Sequence, residues 1–164
     1  MALSRHWPAI CDLFQHAGCL LIASVSPDGF PHITPIGSLM LREDCTGWYL
    51  ERFPEGLPRN LETCERIEVI ALNHSPALWL RALVSGRFAS LPGMRLRGTA
   101  GPRRPATLAE RDCWLQKVRR LRWTKGHALL WKNMTHARDL RFEAYDPIRL
   151  GPMTAGLFED PAQR

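Results

Sequence analysis

The segment Phe30-Pro-His-Ile-Thr-Pro-Ile-Gly37 is where residue types and spacing in this chain point most directly to binding chemistry. Pro31 and Pro35 interrupt an otherwise extended pattern. Proline cannot donate to a strand ladder, so the stretch is expected at a sheet edge or with a bulge near Thr34-Pro35. Backbone groups left unpaired there can hydrogen-bond a flat heterocycle with imide-like donors and acceptors. Arg52 and Arg59 flank the loop after the next apolar stretch, and guanidinium groups so placed can fork onto a phosphate. His32 is a candidate acid or base, although a histidine beside proline in an edge strand is more often a structural hydrogen-bonder. On residue types alone, a proline-protected edge and two surface arginines account for the pattern more simply.

Other catalytic devices do not stand out. The sequence has no Gly-x-Ser-x-Gly elbow, no Walker loop and no Gly-x-Gly-x-x-Gly. Cys64 lies near Arg66, a neighbour that lowers a thiol pKa, but a buried inert thiol is the commoner use of such a cysteine. Glu62, Glu65 and Glu68 read as a solvated acidic face. The five cysteines (positions 11, 19, 45, 64 and 113) are odd in number and lack C-x-x-C spacing. The six histidines contain no i,i+4 pair, so neither a disulfide framework nor a metal site is expected.

The elements that must position these residues follow from periodicity and turn chemistry. Ile10, Leu13, Phe14 and Ala17 recur on one helical face before Gly18, with Ser4 as a candidate cap and Pro8 in the first turn. Cys19–Ser26 and His32–Leu41 form a predicted hairpin about Pro27-Asp28-Gly29. A third strand is expected over Gly47–Arg52, with Trp48 and Leu50 on one face and Tyr49 on the other. A short helix over Pro58–Glu65 precedes a strand over Ile67–Leu72. Ser75-Pro76 has the form of a cap followed by proline at the first helical position. Met94–Arg97 alternates as a strand, with Arg95 and Arg97 sharing one face. Gly98–Pro105 reads as a loop. Thr107-Leu-Ala-Glu110 is a capping box opening a helix that carries Trp114, Leu115, Val118 and Leu121 and stops at Gly126. Leu140–Leu150 fits a hairpin turning at Asp146-Pro147. Hairpins outnumber strand–helix alternations, so a mainly β fold is expected, an antiparallel barrel with flanking helices.

At 164 residues and 45% hydrophobic, the chain is expected to form one domain over residues 1–150 with a loose tail over 151–164. No apolar run approaches 18 residues, and the N-terminal stretch lacks the form of a secretory signal. A cytoplasmic location without a membrane anchor is the expectation. Charge is uneven. Residues 1–86 hold 6 Lys/Arg against 9 Asp/Glu, residues 87–141 hold 14 against 3, and residues 142–164 hold 2 against 4. The basic segment suits an anion site or a solvated arginine face. Trp114, Trp123 and Trp131 lie within it but lack the alternation of a base-stacking platform, which argues against nucleic acid.

Ile22-Ala-Ser-Val-Ser-Pro-Asp-Gly-Phe-Pro-His-Ile-Thr-Pro-Ile-Gly37, then Trp48-Tyr-Leu, then Arg59-Asn-Leu-Glu-Thr-Cys-Glu-Arg-Ile-Glu-Val69, together resemble the pyridoxamine 5′-phosphate oxidase-like proteins of the FMN-binding split-barrel superfamily. The order of strand, D-G-x-P turn, Thr-Pro strand and x-N-L helix carries the likeness over roughly residues 10–72. The resemblance implies a six-stranded antiparallel split barrel, a homodimer, and FMN in a cleft between subunits, in an oxidoreductase acting on a small molecule. It implies His32, Ile33, Thr34, Pro35 and Ile36 at the isoalloxazine ring. Near the phosphate it implies Arg52, Arg59 and Asn60, since the position often occupied by lysine is Leu57. Trp131 and Arg138 resemble the late aromatic and arginine that approach from the partner subunit. A deazaflavin-dependent reductase, or a non-enzymatic dimer binding haem or another ligand, are the alternatives on the same fold.

Overall fold

A computed structural model describes residues 2–52, 55–131 and 133–157. Helix α1 (Ala2–His16) leads into β1 (Cys19–Val25) and β2 (Pro31–Pro35). This hairpin keeps an unbroken register from Leu21 opposite Pro35 to Val25 opposite Pro31. Gly29 closes its turn at φ +87°, a conformation open to glycine at little cost, and donates its N–H to the Ser26 carbonyl. Two-residue β3 (Met40–Leu41) and β4 (Thr46–Glu51) follow, then α2 (Gly56–Thr63), β5 (Arg66–Leu72) and α3 (Pro76–Ser85). The remainder is β6 (Gly93–Ala100), two-residue β7 (Arg104–Pro105), α4 (Leu108–Lys117), α5 (Lys125–Trp131) and β8 (His136–Pro147).

These strands make one antiparallel sheet in the order β2-β1-β5-β6-β8-β4-β3, with β7 paired to β8. Eight strands replace the six expected, although six of them reach five residues or more and the other two have two each. The two flanks of the sheet, β2 and β3, are consecutive in sequence and joined by only residues 36–39. Such a link spans at most about 17 Å. A flat seven-strand path would separate the flanks by about 29 Å. The sheet must therefore roll into a barrel, closed at this seam by the chain itself. Ser38 reinforces the seam: its hydroxyl donates to the Leu50 carbonyl at 2.9 Å and accepts from the Leu50 N–H at 3.0 Å.

Inside the roll, Ile22, Tyr49, Val69, Leu96, Leu140 and Phe142 pack with Leu3, Trp7, Ile10 and Phe14 of α1. A second cluster covers the opposite face of β4, where Trp48 and Leu50 meet Trp114, Met134 and Ala137. The expected split of Trp48 and Leu50 from Tyr49 is thus observed, and it buries β4 on both faces.

Several boundaries differ from expectation. Ser4 lies inside α1 and does not cap it, because burial of Leu3 and Trp7 carries the helix further toward the N-terminus. The strand expected over His32–Leu41 is broken after Pro35, where the chain leaves β1 for β4. Helix α2 begins two residues before Pro58. Strand β6 runs on to Ala100 through a bulge at Arg97/Gly98, where Gly98 packs directly on the Arg141 backbone. The capping box at Thr107 and Glu110 is present, but α4 stops at Lys117 and Gly126 sits within α5. Thr124 starts α5, its hydroxyl accepting from the His127 N–H. Residues 136–147 form one strand and not a hairpin; Pro147 ends it, where a missing donor is tolerated. In the expected loose tail, residues 151–154 form a 3-10 turn with Thr154 buried, bonded to the Leu150 N–H, while Met153 accepts from the Phe88 N–H. The rest of that tail from residue 158 lies outside the described residues.

Candidate functional site at the β2 edge and the β4 terminus

Strand β2 ends the sheet path. The Ser26 and Ile36 N–H groups donate to Phe30 and Leu20 across the hairpin, and hydrogen-bonded antiparallel pairs recur every second residue. His32, Thr34 and Ile36 therefore turn their backbone groups toward β1. Pro31, Ile33 and Pro35 turn theirs to the open flank. Both prolines fall on positions whose N–H would have faced outward. The flank thus presents three carbonyl acceptors and a single donor, the Ile33 N–H.

The side chains of this strand divide by face. Thr34 is buried, and its hydroxyl lies 3.4 Å from His32 Nδ1. Ile33 is 58% exposed on the outer face, which it shares with Val25 at 40%; Phe30, 70% exposed, precedes the strand. The His32 imidazole rests on the first turn of α2: a Cβ at Gly56 would lie 3.0 Å from its Cε1. One turn on, Asn60 is buried, its Nδ2 donating to Ser24 Oγ at 2.9 Å, and its Oδ1 has no partner among the described residues. Arg59 is exposed on the same helix. Asp28, in the hairpin turn, is held below the usual carboxylate range first by the Ser26 hydroxyl and, more weakly, by the Arg59 charge. Leu57 is fully buried in the core.

A cavity of about 180 Å³ opens where β4 ends. Pro35, Ile36, Arg52 and Trp131 line it together, with Glu51 and Trp114. The structure thus brings four of the sequence-selected residues into one wall and places His32, Arg59 and Asn60 around α2. Arg52 donates to the Leu130 carbonyl at 3.1 Å, which ties β4 to α5. Trp131 stands edge-on to Trp114, ring centres 6.0 Å apart, and edge-on to His127 at 5.1 Å.

Arg138 lies behind this wall and is buried. It donates from Nε to Glu51 Oε2 at 2.8 Å and from Nη1 to the Gly101 carbonyl at 3.2 Å. Arg103 Nε comes within 3.9 Å of the same carboxylate oxygen. Glu51 Oε1 and Trp114 Nε1 are buried without partners among the described residues, so two side chains lining the cavity carry an unused acceptor and an unused donor. The Tyr49 hydroxyl is buried nearby, its ionisation pushed up by burial and then by Glu51, with Arg138 acting in the opposite sense.

Sequence reasoning missed Glu51 and Trp114. Alternation along β4 places Glu51 on the face of Tyr49, but its arginine partner is 87 residues away. It also missed a four-membered ion network. Arg104 donates to both Asp139 and Glu110, and Arg42 reaches Asp139 at 2.8 Å and Glu110 at 3.5 Å. Its hydrogen bonds hold Asp139 down at about 2, Arg104 contributing most and Arg42 less, while burial opposes them.

No family model and no curated protein matches the sequence. Solved structures do match in three dimensions. A protein of Clostridium acetobutylicum related to general stress protein 26 of B. subtilis, of the pyridoxinephosphate oxidase family, superposes with a TM-score of 0.57 at 14% identity, over 89% of each chain. An FMN-binding protein from Syntrophomonas wolfei subsp. wolfei gives 0.56 at 14% identity, over 91% of this chain and 96% of the other. An F420 reductase gives 0.57 at 13% identity, over 82% and 94%. The fold is the mainly antiparallel split barrel with flanking helices that these proteins share.

Proposed function

We propose that this split-barrel chain binds FMN along the open flank of β2 and acts as an oxidoreductase on a small organic molecule. The observation that carries the reading is the donor and acceptor pattern of that flank. The Ile33 N–H and carbonyl can meet one carbonyl oxygen and the imide N–H of the flavin ring edge, while the Pro31 and Pro35 carbonyls stay outside that pairing. His32, Thr34 and Ile36 hold the strand in register from the other side. Arg59, exposed on α2, is the cation for the phosphate, with Arg52 at the end of β4 and buried Asn60 positioning the helix. Trp131 supplies an apolar wall, and Arg138, clamped by Glu51, fixes the strand end that faces it. A flavin held there supplies hydride or electron transfer; the protein orients it and keeps one face dry.

The reading includes a homodimer. Ile33 and Val25 leave exposed apolar surface beside the proposed ring site, and a second copy would cover it. Among the described residues no helix is long and apolar enough to cross a membrane.

A second reading keeps the site and exchanges FMN for a deazaflavin. It is favoured by Leu57, whose burial removes the position where the resemblance expects a lysine. Titration of the purified protein with FMN and with a deazaflavin, followed by fluorescence quenching, tests both. Saturable FMN binding is the expected result. Deazaflavin binding alone would establish the second reading. A haem absorption band with indifference to both rings would sink the two together.

A further inference from the structure

The 3-10 turn after α4, Arg119–Leu121, reverses the chain into α5 and builds a cleft that the cofactor reading does not use. The cleft has a volume of about 440 Å³, within the range of small-molecule sites. Its lining is Asp112, Leu115 and Gln116 from α4, Arg119 and Arg122 from the turn, and His127 from α5. Residues i and i+3 of a 3-10 turn eclipse one another, which sets the Arg119 and Arg122 guanidinium groups on one side. Among the described residues neither makes an ion pair. His127 Nε2 is buried without a partner, although the ring itself is fixed edge-on against Trp131. Asp112 is the sole carboxylate in the lining and balances at most one of the two cations.

We propose that this cleft binds the phosphate or pyrophosphate group of a soluble organic molecule. Two forked guanidiniums and a side-chain amide converge on one space, with the His127 ring in its wall. A phosphate has enough acceptor oxygens to meet all three, whereas a carboxylate has two. Leu115 forms an apolar wall, and the volume leaves room for the organic part of the ligand. The site is separate from the proposed flavin site: it lies beyond the His127–Trp131 contact, and none of its lining residues belongs to the cavity at the end of β4.

The test is calorimetric titration of the full chain with inorganic pyrophosphate at low ionic strength. Saturable binding is expected, weakened about tenfold or more in the Arg119→Ala/Arg122→Ala variant. The Arg87→Ala/Arg149→Ala variant removes the same charge from other exposed positions and should stay within about twofold of the parent. All four positions are exposed, so folding is preserved and checked by thermal unfolding. Absence of saturable binding, or equal weakening in both arginine pairs, would overturn the proposal. Attachment to phosphatidylglycerol vesicles without pyrophosphate binding would overturn it too, by assigning the charge to a lipid surface. Parallel titration with FMN separates this site from the cofactor site, since loss of FMN affinity in Arg119→Ala/Arg122→Ala would merge the two and refute a second site.

Discussion

Arg138 on β8 and Glu51 on β4 meet through a 2.8 Å hydrogen bond from Nε to Oε2, with side chains only 4% and 2% exposed. The ladder sets this pair: Tyr49 stands opposite Arg138, and Glu51 is its diagonal neighbour on the same face. An ion pair withdrawn from water so completely depends on both members, because removing one strands the other.

Arg138→Met should therefore destabilise the fold by about 3–5 kcal/mol in urea unfolding. The double variant Glu51→Gln/Arg138→Met should recover a clear part of that loss, because no bare charge remains. Equal stability of the single and double variants would show that Arg103, 3.9 Å from the same carboxylate oxygen, suffices to hold the Glu51 charge.

Acid should loosen the molecule through Asp139. Its folded-state pKa is depressed to about 2 from an ordinary value of 3.8, chiefly by Arg104 and then by Arg42. A depressed carboxylate contributes stability that is present above pH 4 and is lost as pH falls toward 2. Glu110, lowered mainly by Arg104, adds in the same direction. Thermal midpoints measured from pH 5 down to 2 should fall less steeply in Asp139→Asn than in the parent. An unchanged slope would place the acid sensitivity elsewhere.

At the proposed phosphate position, Arg59→Ala and Arg52→Ala should each weaken FMN by roughly 1.5–3 kcal/mol, the range for a charge-assisted hydrogen bond. Fluorescence titration reads this directly. Arg52→Ala also removes the bond to the Leu130 carbonyl, so its effect should be accompanied by a small loss of stability, whereas that of Arg59→Ala should not.

The exposed apolar surface beside β2 gives the dimer its own test. Ile33→Asp should raise the dimer dissociation constant at least about tenfold, as expected for losing one buried aliphatic side chain at an interface. Sedimentation velocity over a range of concentrations measures it. A parent chain that stays monomeric throughout would remove the dimer from the proposal.

Local chemistry made much of this fold readable in advance. Pro31 and Pro35 marked the edge, Pro27-Asp28-Gly29 the hairpin, and Thr107 with Glu110 the start of α4. What stayed hidden was decided by distant partners. Asp146-Pro147 has the composition of a turn, yet β6 pairs with β8 from Leu140 to Pro147 and carries the strand on to that residue. Gly126 resembles a helix terminator, but Thr124 caps α5 just before it. In the site, the residues of β2 and the cations at 52 and 59 were visible as types. The burial of Asn60, the Glu51–Arg138 pair and the unpartnered Trp114 nitrogen arise only once the sheet has rolled.

Residues 36–39 act as a clasp between the two flanks of the rolled sheet. Covalent length, not ladder bonding, limits how far those flanks can part, and the cavity at the end of β4 sits against this clasp. The length of this four-residue link therefore sets how wide that opening can be.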